Sequence, residues 1–220
     1  MKIPSLMAST AIPLALGLVM VGRAPLPAQE PAPVIVQPGA PGEPGRTLTA
    51  EEAAAIRMPE HVEADVRFMQ GMIHHHAQAL EMTRLLFDRT TSEEMRLLAR
   101  RIDISQKDEI RLMQGWLESR REDAPMIHAE YGAATDHARM PGMLTEEQMA
   151  RLAATRGNEF DRLFLEYMIS HHRGALAMVH ELFSTSGAGQ EPDVFQFAFH
   201  VDADQYIEIE RMSKMLQARR

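Results

Sequence analysis

The side chains with most chemistry to offer are ten histidines and seventeen methionines, and they cluster. His74, His75 and His76 are consecutive, with Met72 before them and Met82 after. His171 and His172 are flanked in the same way by Met168 and Met178. Imidazole and thioether both bind copper, and the soft sulfur donor favours Cu(I). A His and a Met three or four residues apart on one helix can reach a single ion. Zinc would also accept the histidines together with carboxylates.

The clustering comes from an internal repeat. Asp65, Phe68, Met72, Ile73, His75, His76, Ala79, Leu80 and Met82 recur 96 residues later as Asp161, Phe164, Met168, Ile169, His171, His172, Ala175, Leu176 and Met178. A second segment recurs at a spacing of 99: Gln106, Glu109, Ile110, Met113 and Leu117 match Gln205, Glu208, Ile209, Met212 and Leu216. At about 100° per residue, Phe68, Met72, His75, Ala79, Met82 and Leu86 share a helix face, with His74 and His76 to either side. Gln106, Glu109, Met113 and Leu117 share another, and the second half repeats both. Each half therefore turns His, Met, Gln and Glu inward, making a polar layer in a Met-rich core. Glu109 and Glu208 are further ligands, or acceptors that fix the imidazole tautomers.

The elements that must position this layer are helices. Thr49-Ala50-Glu51-Glu52 reads as a capping box, and Pro59 interrupts the helix it opens. An apolar period of 3.6 runs from Glu60 to Phe87. Thr91-Ser92-Glu93-Glu94 opens a helix to about Arg121. Thr145-Glu146-Glu147-Gln148 caps a short helix within the long crossover. Asn158 caps a helix from Glu159 to about Phe183, and Pro192 suits the first turn of a last helix. No segment shows convincing strand alternation. Short loops within each pair and one long crossover predict an all-α four-helix bundle of two duplicated antiparallel hairpins, at about 60–121 and 159–218, with a short extra helix in the crossover. The bundle domain is expected over 49–220.

Ahead of it, residues 1–28 read as a signal peptide: Lys2 precedes an apolar run to Val21. Residues 29–48 read as a Pro-rich disordered linker, part of a stretch holding Pro25, Pro27, Pro31, Pro33, Pro38, Pro41 and Pro44. Export to a bacterial periplasm or the cell exterior follows, with no stable membrane anchor after leader removal. The absence of cysteine excludes disulfides, iron–sulfur clusters, cysteine zinc sites, blue-copper sites and a cysteine nucleophile. A net charge of −8 argues against a nucleic-acid partner.

Phe68…Met72-Ile73-x-His75-His76-x-x-Ala79-x-x-Met82, Gln106-x-x-Glu109-Ile110-x-x-Met113-x-x-Trp116-Leu117, Met140-Pro-Gly-Met143-Leu-Thr and the second-half repeats resemble the domain of unknown function 305 family over about residues 60–218. The resemblance implies a ferritin-like bundle in an exported bacterial protein, with copper binding and copper tolerance attached to Met72, His75, His76, Met82, Met168, His171, His172 and Met178. One departure is that Trp116-Leu117 becomes Met215-Leu216.

The leading expectation is a non-enzymatic protein that sequesters copper or hands it to other periplasmic copper-handling proteins. Its candidate metal residues are Met72, His75, His76, Met82, Glu109, Met168, His171, His172, Met178 and Glu208. Met126, His128, His137, Met140 and Met143 in the crossover offer an exposed loading site, and His180 an outer ligand. The alternatives are a ferritin-like di-metal oxidase and a metal-free structural or interaction bundle. The oxidase wants four carboxylates and Glu-x-x-His motifs, and no Glu lies three residues before a His here. No nucleophile triad, phosphate loop or nucleotide fingerprint is present.

Overall fold

The computed structural model describes residues 34–37, 44–126 and 140–219. The expected leader lies outside them, as do His128 and His137. Of the expected linker, residues 34–37 and 44–48 are described, and they include two short strands that the sequence pattern does not predict: β1 (Ile35–Gln37) and β2 (Arg46–Leu48). They pair antiparallel, Ile35 opposite Leu48 and Gln37 opposite Arg46. The β-branched Ile35, Val36 and Thr47 suit an extended pleat, and Arg46 Nε donates to Gln37 Oε1 across the ladder at 2.7 Å. Three residues are too few for an alternation to be read.

α1 (Ala50–Ala55) follows, opened by the expected Thr49–Glu52 capping box, and buries none of its residues. β1, β2 and α1 form one unit, and residues 57–220 form another that carries the bundle. The sequence places α1 at the start of the bundle domain, whereas in the structure it groups with the strands. Extended backbone at Ile56 ends it.

The bundle is all-α. α2 (Glu63–Arg89) and α3 (Glu93–Ser119) make one hairpin; α5 (Gly157–Ser184) and α6 (Pro192–Gln217) make the other; α4 (Glu146–Ala154) sits in the crossover against α5. α2 and α5 also pack on each other. α2 begins at Glu63 rather than Glu60, where Asp65 Oδ2 accepts the Val62 N–H at 2.9 Å. Asp65 Oδ1 takes the N–H of Gly189, in the loop of the other hairpin, at 2.7 Å. Ser92 caps α3, and Thr145 with Gln148 forms the capping box of α4. Asn158 does not cap α5: Arg156 holds that position without a side-chain bond, because Gly157 at φ +60 already starts the helix. Glu191 caps α6 through the Val194 N–H at 2.9 Å, with Pro192 in the first turn.

Glu191 does more than cap. Its carboxylate also accepts from Trp116 Nε1 at 3.2 Å and from Arg120 at 2.5 Å. The Arg120 guanidinium lies 4.4 Å above the Trp116 ring, and His61 meets that ring edge-on at 5.4 Å. This ties the end of α3 to the start of α6.

The apolar core is divided. One cluster gathers Phe68, Met69, Met72 and Ile73 with Met113, Trp116, Ala175, Met178 and Phe197. The other gathers Ala79, Met82 and Leu86 with Met95, Ile102, Phe160, Phe164, Met168 and Met212. In sequence the break in α2 falls between Ile73 and Ala79, and in α5 between Ile169 and Ala175. Those gaps hold the histidines.

Candidate metal centre

His75, His76, His171 and His172 are all buried. The equivalent residues His75 and His171 face each other, ring centroids 3.8 Å apart and planes inclined by 37°. Each is 6.3–6.4 Å from its neighbour, His76 or His172. The repeat thus lays two His pairs across the α2–α5 crossing, nearly related by a twofold.

The outer histidines are held by the glutamates of their own hairpins. His76 Nε2 is 2.6 Å from Glu109 Oε2, and His172 Nε2 is 2.7 Å from Glu208 Oε2. Ser105 Oγ donates to the other Glu109 oxygen at 2.8 Å. Carboxylates accept, so both Nε2 atoms carry a proton. His75 holds its Nε2 proton by another route. Its Nε2 donates to the backbone carbonyl of Pro141 at 3.1 Å. The Nδ1 atoms of His75, His76 and His172 have no hydrogen-bond partner among the described residues, nor does either ring nitrogen of His171.

The carbonyl on His75 belongs to a strap, residues 140–144, laid flat on α5. A Cβ on Gly174 would stand 1.9 Å from the Pro141 oxygen. One on Gly142, at φ +79, would stand 2.7 Å from the Ser170 carbonyl. Only glycine at both places lets the backbones touch. Gln78, the counterpart of Gly174, clamps the far end of the strap through both Leu144 backbone groups, at 3.0 and 2.7 Å.

The electrostatics keep the inner histidines neutral. Burial, then the neighbouring His76, lowers His75 to about 3. Burial, then His75, holds His171 well below the usual imidazole range. Burial raises Glu109, but the hydrogen bond and charge of His76, with Ser105, outweigh it and leave the carboxyl below its ordinary value. Asp204, the counterpart of Ser105, is raised by burial and by the charges of Glu109 and Glu208. The layer therefore carries one carboxylate neighbourhood shared by both hairpins.

These donors fit a soft metal ion. A neutral imidazole nitrogen with its lone pair in a dry core is a ligand without a partner, and buried polar atoms are normally paired. Among the described residues no group of three or more His, Asp or Glu is arranged to hold an ion as it stands. The methionines are split. Met72 and Met178 lie in one apolar cluster, Met82 and Met168 in the other, so each side of the His layer receives one sulfur from each inner helix.

Of the ten candidate residues, the structure brings the four histidines and two glutamates into one layer and sets two methionines on each side of it. Glu109 and Glu208 sit as acceptors behind His76 and His172. His180 and Met126 are exposed. Three contributors carry no ligand signature of their own. Pro141 acts through its backbone, which no side-chain pattern reveals. Ser105 and Asp204 stand one turn before Glu109 and Glu208 and match under the 99-residue spacing, which is the signal that points to them.

A helical bundle of paired hairpins with histidines at its crossing defines a family. The chain belongs to the one described as domain of unknown function (DUF305), which matches residues 65–216. A DUF305 fragment from Deinococcus radiodurans is 31% identical, covers 73% of this chain and 99% of its own, and superposes with a TM-score of 0.63. A DUF305 protein from Streptomyces coelicolor, described as secreted, is also 31% identical, with a TM-score of 0.60, covering 71% and 92%. CopM in its Cu(I)-bound form is 25% identical, with a TM-score of 0.54, covering 70% and 96%. CopM is also known with Cu(II) and with silver bound. Uncharacterized protein L153 of Acanthamoeba polyphaga mimivirus is 36% identical over 67 residues, 30% of this chain; the match spans 43% of the viral protein.

Proposed function

We propose that this protein is an exported, non-enzymatic copper-binding bundle that sequesters the ion or passes it to other periplasmic copper-handling proteins, with Cu(I) as the favoured state. The observation that carries the reading is a layer of four buried histidines, His75, His76, His171 and His172, whose Nδ1 atoms have no hydrogen-bond partner among the described residues, between two apolar clusters that hold methionines. The copper- and silver-bound forms of CopM, and the secreted description of the Streptomyces relative, support it. His171 is the inner ligand that the strap does not hold, and Met72, Met82, Met168 and Met178 are the soft donors that the two apolar clusters place on either side of the layer. Glu109 and Glu208 keep the outer imidazoles oriented. Zinc is the competing ion, because it takes imidazole readily.

The test is anaerobic titration of the protein with Cu(I) against a competing chelator, with Zn(II) and Fe(II) in parallel, repeated on His75→Ala/His171→Ala. Tight Cu(I) binding abolished in the double variant supports the reading. No binding of any ion, with the variant altered only in stability, leaves a structural bundle. Preferential Fe(II) binding with oxidase turnover would favour the di-metal alternative.

A further inference from the structure

The repeat fails along one line, the outer edge of the second helix of each hairpin. On α6, Phe195, Phe199 and Tyr206 are 53%, 60% and 67% exposed. Steps of four and seven residues keep them on one side of the helix. Phe195 and Phe199 lie nearly parallel, centroids 6.5 Å apart and planes inclined by 10°, and Phe183 of α5 meets Phe195 edge-on at 5.7 Å. Phe183, Phe195 and Phe199 thus form one exposed patch, extended by Tyr206, of a kind that monomers seldom leave bare. No Lys or Arg stands between Pro192 and Glu210, whereas Asp193, Asp202, Asp204 and Glu210 are exposed there. Acidic surroundings and open ring faces both select a cation.

The chain carries such cations itself. Under the 99-residue spacing, Phe195, Phe199 and Tyr206 correspond to Arg96, Arg100 and Lys107 of α3. Arg100 and Lys107 are exposed, and Arg96 is half-buried. Arg100 is 3.9 Å from Glu93 and Lys107 is 2.7 Å from Asp103, both on their own helix. Such surface pairs add little and are readily exchanged. The two stripes share one spacing, so a cation can stand over each ring in a single register. Both face solvent within one copy, so they meet only between copies.

We infer that the aromatic stripe of α6 is a docking surface for the cationic stripe of α3 on a second copy of this chain. The match in charge and spacing favours a second copy over an unlike partner. Unlike faces joined in this way make a head-to-tail contact, which closes into a ring or extends as a chain. Neither stripe belongs to the His layer, so the inference stands apart from the copper reading.

The test is sedimentation velocity of the full chain over a concentration series up to about 1 mM. Wild type should show species heavier than the monomer. Association should weaken at least about tenfold in Phe199→Ala/Tyr206→Ala and in Arg100→Gln/Lys107→Gln. All four side chains are exposed, so circular dichroism should show the helix content of wild type in both variants. Each variant keeps the stripe that the other has lost. An equimolar mixture of the two should therefore re-form a complex, and one that stops at a heterodimer. Wild type that stays monomeric throughout overturns the inference and leaves the stripe to an unlike partner. Association that survives in both variants overturns it too, as does a mixture that stays monomeric.

Discussion

The two hairpins begin from nearly the same residues and end unequal. Both hold their outer histidine against a glutamate, at 2.6 and 2.7 Å. In the first, Ser105 supports the glutamate, His75 is pinned by Pro141, and both Asp65 oxygens are occupied. In the second, Asp204 stands where the serine was, and among the described residues neither nitrogen of His171 nor Asp161 Oδ1 has a hydrogen-bond partner. The difference follows from topology. A twofold repeat has one crossover, and one strap can serve only one of two equivalent histidines. The duplication supplied a symmetric frame, and the connection between its copies gave one of the two equivalent histidines a carbonyl partner that the other lacks.

The largest test of that asymmetry is at the strap's two anchors. Gly174→Ala puts a methyl inside the Pro141 carbonyl and should cost at least about 3 kcal/mol in urea unfolding, while Gln78→Ala at the equivalent position should cost about 1.5 kcal/mol for its lost hydrogen bonds. Near-equal costs would mean the strap lifts freely. Next, His76→Leu strands Glu109 and should cost about 3 kcal/mol, whereas His171→Leu removes an unpartnered polar ring and should leave metal-free stability within about 1 kcal/mol of wild type. A strongly destabilised His171→Leu would show that this ring has a structural partner.

Acid acts on the inner pair together. Both histidines titrate below their unfolded-state value, so the unfolded chain takes up protons first and stability falls as pH drops from about 6.5 toward 3. The metal-free protein should lose up to about 2.7 kcal/mol per pH unit there, for two protons, and His75→Leu/His171→Leu should flatten that slope. Glu109 adds to the loss below about 4.5, since its folded-state value is depressed. The smallest contrast is between the supporting positions. Ser105→Ala should cost about 1 kcal/mol, while Asp204→Asn should be neutral or slightly stabilising, because it removes a carboxylate held among like charges. Chemical denaturation of both variants checks it.

The repeat made the bundle legible: matched Asp, Phe, His and Met positions fixed two hairpins, and the 100° geometry put the right faces inward. Helix starts were legible where a side chain caps them, as at Thr49 and Thr145, and misread at Asn158, where a glycine starts the helix. The strands at Ile35 and Arg46 escaped because three-residue elements leave no period. Within the site, the His, Glu and Met sets were visible as residue types. Their division was not: which histidine a backbone carbonyl holds depends on where a loop lies, and Met72 with Met178 share a side only because the inner helices cross at the histidines.

The cluster joining the hairpins has an optical consequence. Trp116 is the only tryptophan of the chain, and it sits at the seam between α3 and α6, with a guanidinium over its face and an imidazole at its edge. Its emission therefore reports the seam itself. If the hairpins part while each stays helical, fluorescence will change before circular dichroism does, and this protein will show the loss of its quaternary-like pairing of halves as a colour shift built into its own sequence.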